Sequence, residues 1–156
     1  MFCTNRNTIV NKDELFGYDY RLFQETPVWE LAKAVWDEDV DEIEHIVMEE
    51  KADINYPEPR FGQTLLMLTI QNNDFKSFQK LLELKANPNL YDESDGRSAI
   101  IIASGFNGFN NDGVRFLKLL LKYGANPNDL EIGKRRKGSY QRLSPLLAAS
   151  SESLEK

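Results

Sequence analysis

The carboxylates best spaced to do chemistry are Asp37, Asp39 and Asp41, within DEDVDE at 37–42. Alternate acids are how a calcium loop begins, because oxygens two residues apart can reach one cation. The pattern fails at its sixth position, Glu42, where glycine must make the sharp turn. It fails again at its twelfth, Met48, where a glutamate must close the coordination shell. Acids there suit the positive end of a following helix instead. His45 is the only histidine, so no HExxH-type pair of ligands exists. Cys3 is the only cysteine, without a CxxC companion and unable to form an intramolecular disulfide. No GxSxG nucleophile elbow and no GxxxxGK[ST] phosphate loop occurs. No catalytic residue, metal site or cofactor site is therefore expected, and the chain reads as a non-enzyme.

Composition narrows the class. The 156 residues suit one domain, with a 41% hydrophobic share sufficient for a core. The net charge of −6 favours solubility and gives no general attraction to nucleic acid. One basic tetrad, Lys134 to Lys137, stands against that background. It reads either as a solvated loop, the usual place of a charge run, or as a contact for an acidic partner; nucleic-acid binding needs a broader basic surface. No apolar run approaches the roughly 20 residues that cross a membrane. The first residues do not read as a secretory signal. A single cysteine fits a reducing compartment, so a cytoplasmic location is expected.

The residues that recur matter more. The string LLELKANPNLYD begins at Leu81, and LLLKYGANPNDL begins at Leu119. A weaker copy, IVMEEKADIN, ends at Asn55. Asn55 to Asn89 is 34 residues and Asn89 to Asn128 is 39. After the copies come GQTLLMLTI, GRSAIIIAS and LSPLLAAS, at 62–70, 96–104 and 143–150. Such a period marks stacked repeat units. In each, Thr64, Ser98 or Ser144 can cap a short apolar helix, with Pro145 at the tolerant first position of the last. A second helix follows. Phe75, Phe78, Leu81 and Leu82 mark its buried face in one unit, and Phe116, Leu119 and Leu120 in the next. Gly124 ends the latter helix in a left-handed turn.

These units resemble the ankyrin repeat, whose pattern runs roughly TPLHLAA, G, LLLxxGADVN. The resemblance covers about residues 26–156. It implies an all-α, ankyrin-type helical solenoid with β-hairpin or loop fingers. The expected organisation is an N-terminal cap at 1–25, units at about 26–60, 61–95 and 96–140, and a partial unit at 141–156. The first unit is divergent, and the register of Thr26 and Pro27 is open. Aromatic-rich FGYDYRLF at 16–23 is expected to pack over the exposed edge of the first unit. Residues 1 to about 12 are expected to be mobile. A partial unit cannot bury its apolar face alone, so the expectation is that the array continues past Lys156 or else ends in an atypical unit, the former being favoured.

Three departures from the pattern stand out. Lys51 and Lys85 occupy the helix-ending position that Gly124 holds, where a left-handed backbone costs a non-glycine residue about 1 kcal/mol. The segment 105–113 lengthens the third unit and carries Phe106 and Phe109, either as a tolerated surface insertion or presented for contact. The finger after Asn128 is long and basic.

The resemblance implies function in the positions that differ between units. The family's usual surface is concave, built from finger tips and the exposed side of the first helices. Here that surface comprises Arg60, Phe61, Gln63, Gln71 and Asn72, then Ser94, Asp95, Arg97 and Phe106. Lys134, Arg135 and Arg136 extend it. The expected function is protein binding by a monomer, without nucleic acid or membrane. The alternative is a dedicated inhibitor, such as an immunity protein that neutralises a toxin or enzyme.

Overall fold

A computed structural model describes residues 6–105 and 112–129. Its helices pair as α1 (Trp29–Trp36) with α2 (Val40–Met48), α3 (Leu65–Gln71) with α4 (Phe75–Glu83), and α5 (Ala99–Ser104) with α6 (Asp112–Lys122). Two 3-10 turns, Lys12–Glu14 and Tyr20–Phe23, precede them. The only strand-like pairing among the described residues is the antiparallel bridge between Tyr91 and Ser98. The architecture is the all-α solenoid expected. Among the described residues, no helix is long and apolar enough to cross a membrane.

Each helix end is written in the sequence. The inner turns close by paired bonds: Glu38 N to Val35 O with Asp39 N to Ala34 O, and Asn73 N to Ile70 O with Asp74 N to Thr69 O. The outer ends repeat the motif at Lys85 and Ala86, and at Gly124 and Ala125. These closures require one left-handed residue each. Glu38, Asn73, Lys85 and Gly124 supply it, at φ of 53°, 59°, 72° and 91°. Lys51 is also left-handed, at 58°. The lysines thus sit in the conformation expected of them. The shared turn at Glu38 and Asn73 fixes the first unit's register: Trp29 stands where Thr64 does, and Thr26 lies three residues upstream.

One expectation fails. Thr64 and Ser98 occupy the N-cap positions of α3 and α5 with extended backbones, yet neither side chain makes a capping bond. Ser98 is fully buried and its Oγ has no hydrogen-bond partner. Burial in the stack has overridden a local preference that holds best where the helix end is solvated. Ser144 and Pro145 lie outside the described residues.

Packing between units holds the stack. Leu31, Val35, Ile43, Leu66, Leu68, Phe78, Leu81 and Leu82 are fully buried in one continuous core. Phe78 meets Phe116 edge-on at 4.7 Å between ring centres, and Phe75 meets it at 5.3 Å, tying α4 to α6. Leu120, with Phe116, is fully buried; Leu119 is only partly so. Counting back from the left-handed residues, Leu120 therefore holds the place of Leu81.

Polar bonds run between units at equivalent places. Asn55 Oδ1 accepts from Asn87 N at 2.8 Å, and Asn89 Oδ1 accepts from Asn126 N at 2.9 Å. Asn89 Nδ2 also donates to Gly124 O at 3.1 Å. The inner turns reach outward likewise: Glu38 accepts from Lys76 N at 3.0 Å, and Asn73 accepts from Arg115 at 2.8 Å. Buried Ser77 donates to Val35 O at 2.7 Å. The repeated asparagines are thus structural bonds between neighbours.

Candidate functional site

The fingers are built around buried carboxylates. Glu58 is 1% exposed, and its oxygens accept from the backbone N–H groups of Arg60 (2.7 Å), Phe61 (2.9 Å) and Gln63 (3.2 Å). Asp92 does the same in the next finger for Asp95 (2.8 Å) and Arg97 (3.3 Å). Both oxygens of Glu58 are satisfied this way, whereas Asp92 takes its N–H bonds on Oδ1 and meets Arg97 Nε with Oδ2 at 3.4 Å. Gly62 and Gly96 complete the turns with left-handed backbones at 69° and 67°. A Cβ on Gly62 would strike Glu93 at 2.4 Å, because the two fingers touch there. Phe61 O accepts from Glu93 N and Ser94 N, joining the tips.

The tips carry dissimilar side chains at equivalent places: Arg60 with Ser94, Phe61 with Asp95, Gln63 with Arg97. Ser94 and Asp95 are exposed. Arg97 is half-buried and spans Asp92 at 3.4 Å and Asp95 at 3.0 Å. Phe106, Lys134, Arg135 and Arg136 lie outside the described residues, as does Phe109.

Around Arg60 the surface is already occupied. The chain's own residues 12–18 cross it as a strap. The Arg60 guanidinium donates to the carbonyls of Lys12 and Leu15, both at 2.5 Å, and stacks on Phe61 at 4.6 Å. Asn72 Nδ2 donates to the Tyr18 carbonyl at 2.7 Å. Gly17 passes so close that an added Cβ would lie 3.0 Å from Gln63 Nε2. Gln63 itself is 2% exposed, and its Oε1 accepts from Gln71 at 2.7 Å. Arg60, Phe61, Gln63 and Asn72 thus meet one segment, and Gln71 braces it from below.

The strap is anchored at both ends. Toward the chain start, Gln24 donates to the carbonyls of Arg6 (2.8 Å) and Thr8 (2.9 Å) and accepts from Val10 N (3.1 Å). Lys12 donates to Gln24 O, and Arg6 pairs with Asp37 over the Trp36 ring. Residues 6–12, expected to be mobile, are therefore bonded into the fold through buried Gln24, a contact with no local sequence signal. Toward the first unit, Tyr20, Leu22 and Phe23 are buried, with Tyr20 and Phe23 in the core that α1 lines, whereas Phe16 and Tyr18 of the same FGYDYRLF segment are exposed. Asp19 fixes the turn by accepting from Arg21 N at 2.9 Å and pairing with the Arg21 side chain at 2.6 Å.

One ionisable pair locks the cap to the second unit. Tyr20 Oη donates to Asp74 Oδ2 at 2.6 Å. Burial pushes the Tyr20 hydroxyl far above its usual range, and the Asp74 charge pushes it further. Burial also raises Asp74, and Glu38 adds to this while the bond from Tyr20 opposes it. Tyr20 is buried in the core, so the pair reads as a lock rather than as acid–base machinery. Among the described residues, no cluster of His, Cys, Asp and Glu could hold a metal ion.

A family model of ankyrin repeats, in three copies, matches residues 31–131. The chain belongs to the ankyrin repeat family. A solved structure, that of EF0377, an ankyrin repeat protein, aligns at a TM-score of 0.36 and 15% identity. The alignment covers 82% of this chain and 94% of that one. No curated protein matches. Within the ankyrin pattern, Glu58 and Asp92 are finger-shaping positions that the motif reading misses. A signal for them exists: each stands three residues after a repeated asparagine and four before a finger glycine.

Proposed function

We propose that this ankyrin stack is a non-catalytic protein-binding module that engages one protein partner through its finger tips and the adjoining first-helix face. Family membership supports a protein-interaction role in general. The observation that carries the finer reading is a division of labour. The repeated residues are consumed by the fold: asparagines bond neighbouring units, acids pin the fingers, and leucines fill the core. The unrepeated residues Arg60, Phe61, Ser94, Asp95 and Arg97 crowd the finger tips instead, where a partner can discriminate among them.

Arginine and aromatic side chains dominate binding hot spots, so Arg60, Phe61, Arg97 and Arg135 are the residues to change. Each is replaced by alanine, and affinity for the partner captured by the full chain is measured. Loss of at least about tenfold is expected at two or more positions. Unchanged affinity at all four rejects this surface.

A further inference from the structure

We infer that the strap, residues 12–18, is an intramolecular stand-in for the partner. The face over α3 reads a turn-forming peptide by its main-chain carbonyls, and a partner segment binds by displacing the strap. The inference rests on the finger-tip reading above and names the kind of ligand it takes.

Four features lead here. First, the long-range side-chain bonds holding residues 12–18 onto this face end on the strap's backbone: Arg60 on the carbonyls of Lys12 and Leu15, Asn72 on that of Tyr18. Backbone recognition accepts any segment that presents its carbonyls in the same arrangement, whatever its side chains.

Second, the strap's large side chains point away from the face that holds it. Phe16 is 70% exposed and Tyr18 49%, stacked on each other at 5.6 Å with rings nearly parallel. A segment serving only as a cap would bury them, as Tyr20, Leu22 and Phe23 are buried a few residues on. Between its Gln24-bonded start and the core residues that follow Asp19, the strap is thus held to the face by polar contacts at the surface. Segments with few buried apolar contacts open locally while the rest stays folded.

Third, Gly17 lies over Gln63 so closely that a Cβ would meet Gln63 Nε2 at 3.0 Å, and a larger residue must push that amide aside. The close approach favours a small residue at this point of a ligand of this mode. Fourth, Gln63 and Gln71 bond each other beneath the strap. The buried Gln63 carbonyl oxygen therefore keeps a partner when the strap leaves.

A tethered ligand has a high effective concentration, so a free peptide competes poorly against it. Apparent affinity is the intrinsic affinity reduced by the fraction of molecules with the strap open. The test lifts the strap without touching the face. In Gly17→Val the added side chain collides with Gln63 Nε2, and Arg60, Gln63 and Asn72 keep their identities. The probe is a labelled synthetic peptide of residues 11–19 in its natural sequence, titrated against the full chain. Gly17→Val is expected to bind it about tenfold or more tightly than the natural chain does, with Gly17→Ala between them. Arg60→Ala or Asn72→Ala, added to Gly17→Val, is expected to abolish the gain. Hydrogen exchange on Gly17→Val is expected to show lost protection at 12–19 and retained protection at 20–24.

If exchange shows the strap open and the peptide binds no better than to the natural chain, the inference is overturned. If the gain survives both face substitutions, it is likewise overturned. The outcome is separable from the finger-tip reading. A captured partner that binds the natural chain and Gly17→Val equally well, yet is lost with Arg97→Ala, sinks the stand-in and keeps the surface. A peptide gain beside a partner insensitive to all four alanines does the reverse.

Discussion

Replacing Lys85 by glycine should stabilise the protein. Lys85 is an exposed residue held at φ 72°, closing α4 through its own N–H to Leu82 O (3.0 Å) and the next N–H to Leu81 O (2.9 Å). A side chain in that conformation costs roughly 1–2 kcal/mol. Glycine removes the cost but gives some of it back, because it loses more backbone freedom on folding. The net gain is about 0.5–1 kcal/mol, and for a chain of this size it raises the melting temperature by about 1–4 °C. Thermal denaturation followed by circular dichroism reads this directly. Lys85→Ala separates the backbone from the side chain, since alanine keeps the left-handed cost and should gain nothing. The reciprocal change is cleaner still. Gly124 holds the same place in α6 at φ 91°, and a Cβ there would meet nothing within 4 Å. Gly124→Ala should therefore lose about 1 kcal/mol from backbone strain alone. Equal stability of the Lys85→Gly and Lys85→Ala variants, or a Gly124→Ala variant as stable as its parent, would refute the argument.

Two further outcomes follow from the unit-to-unit bonds. Asn89→Ala deletes bonds to Asn126 N and Gly124 O, so the urea midpoint should fall by the equivalent of about 1–2 kcal/mol with an unchanged slope. Asn89→Asp, which keeps the acceptor and loses the donor, should recover part of that. Asp74→Asn keeps an oxygen for Tyr20, removes a half-buried charge, and forfeits no cap, since the Asp74 side chain caps nothing. Because Asp74 is raised in the folded state, that state holds the proton more tightly than the unfolded chain does. Its charge therefore costs stability as pH rises from the unfolded to the folded pKa, and the cost is absent below both. The stability of Asp74→Asn relative to its parent should increase through that acidic window and then stay level to pH 7. A difference that shrinks with rising pH, measured by urea titration at several pH values, contradicts the assignment.

The repeat itself is legible because a solenoid writes its fold locally. Unit spacing, the buried faces of α4 and α6, and the left-handed positions at Lys51, Lys85 and Gly124 all depend on contacts within a unit or its neighbour. Such contacts recur at a fixed period, so three imperfect copies reinforce one another. The capping bonds expected of Thr64 and Ser98 are missing for the converse reason: the residue type matches a local rule, but burial between units removes the bond. Leu119 shares the apolar spacing of Leu120, although only the helix end decides which leucine turns fully inward.

Sequence alone thus determined the architecture, the absence of recognised catalytic and metal motifs, and the side chains that differ among the fingers. What only the tertiary structure decided is where the N-terminal segment goes. Arg60 and Lys12 are 48 residues apart, and Asn72 and Tyr18 are 54. Their bonds run from a side chain to a backbone carbonyl. Every residue carries such a carbonyl, so no residue type records which one a distant arginine will choose. The periodic part of the chain could be read from its repetition, whereas the strap occurs once and its place is set by shape and distance.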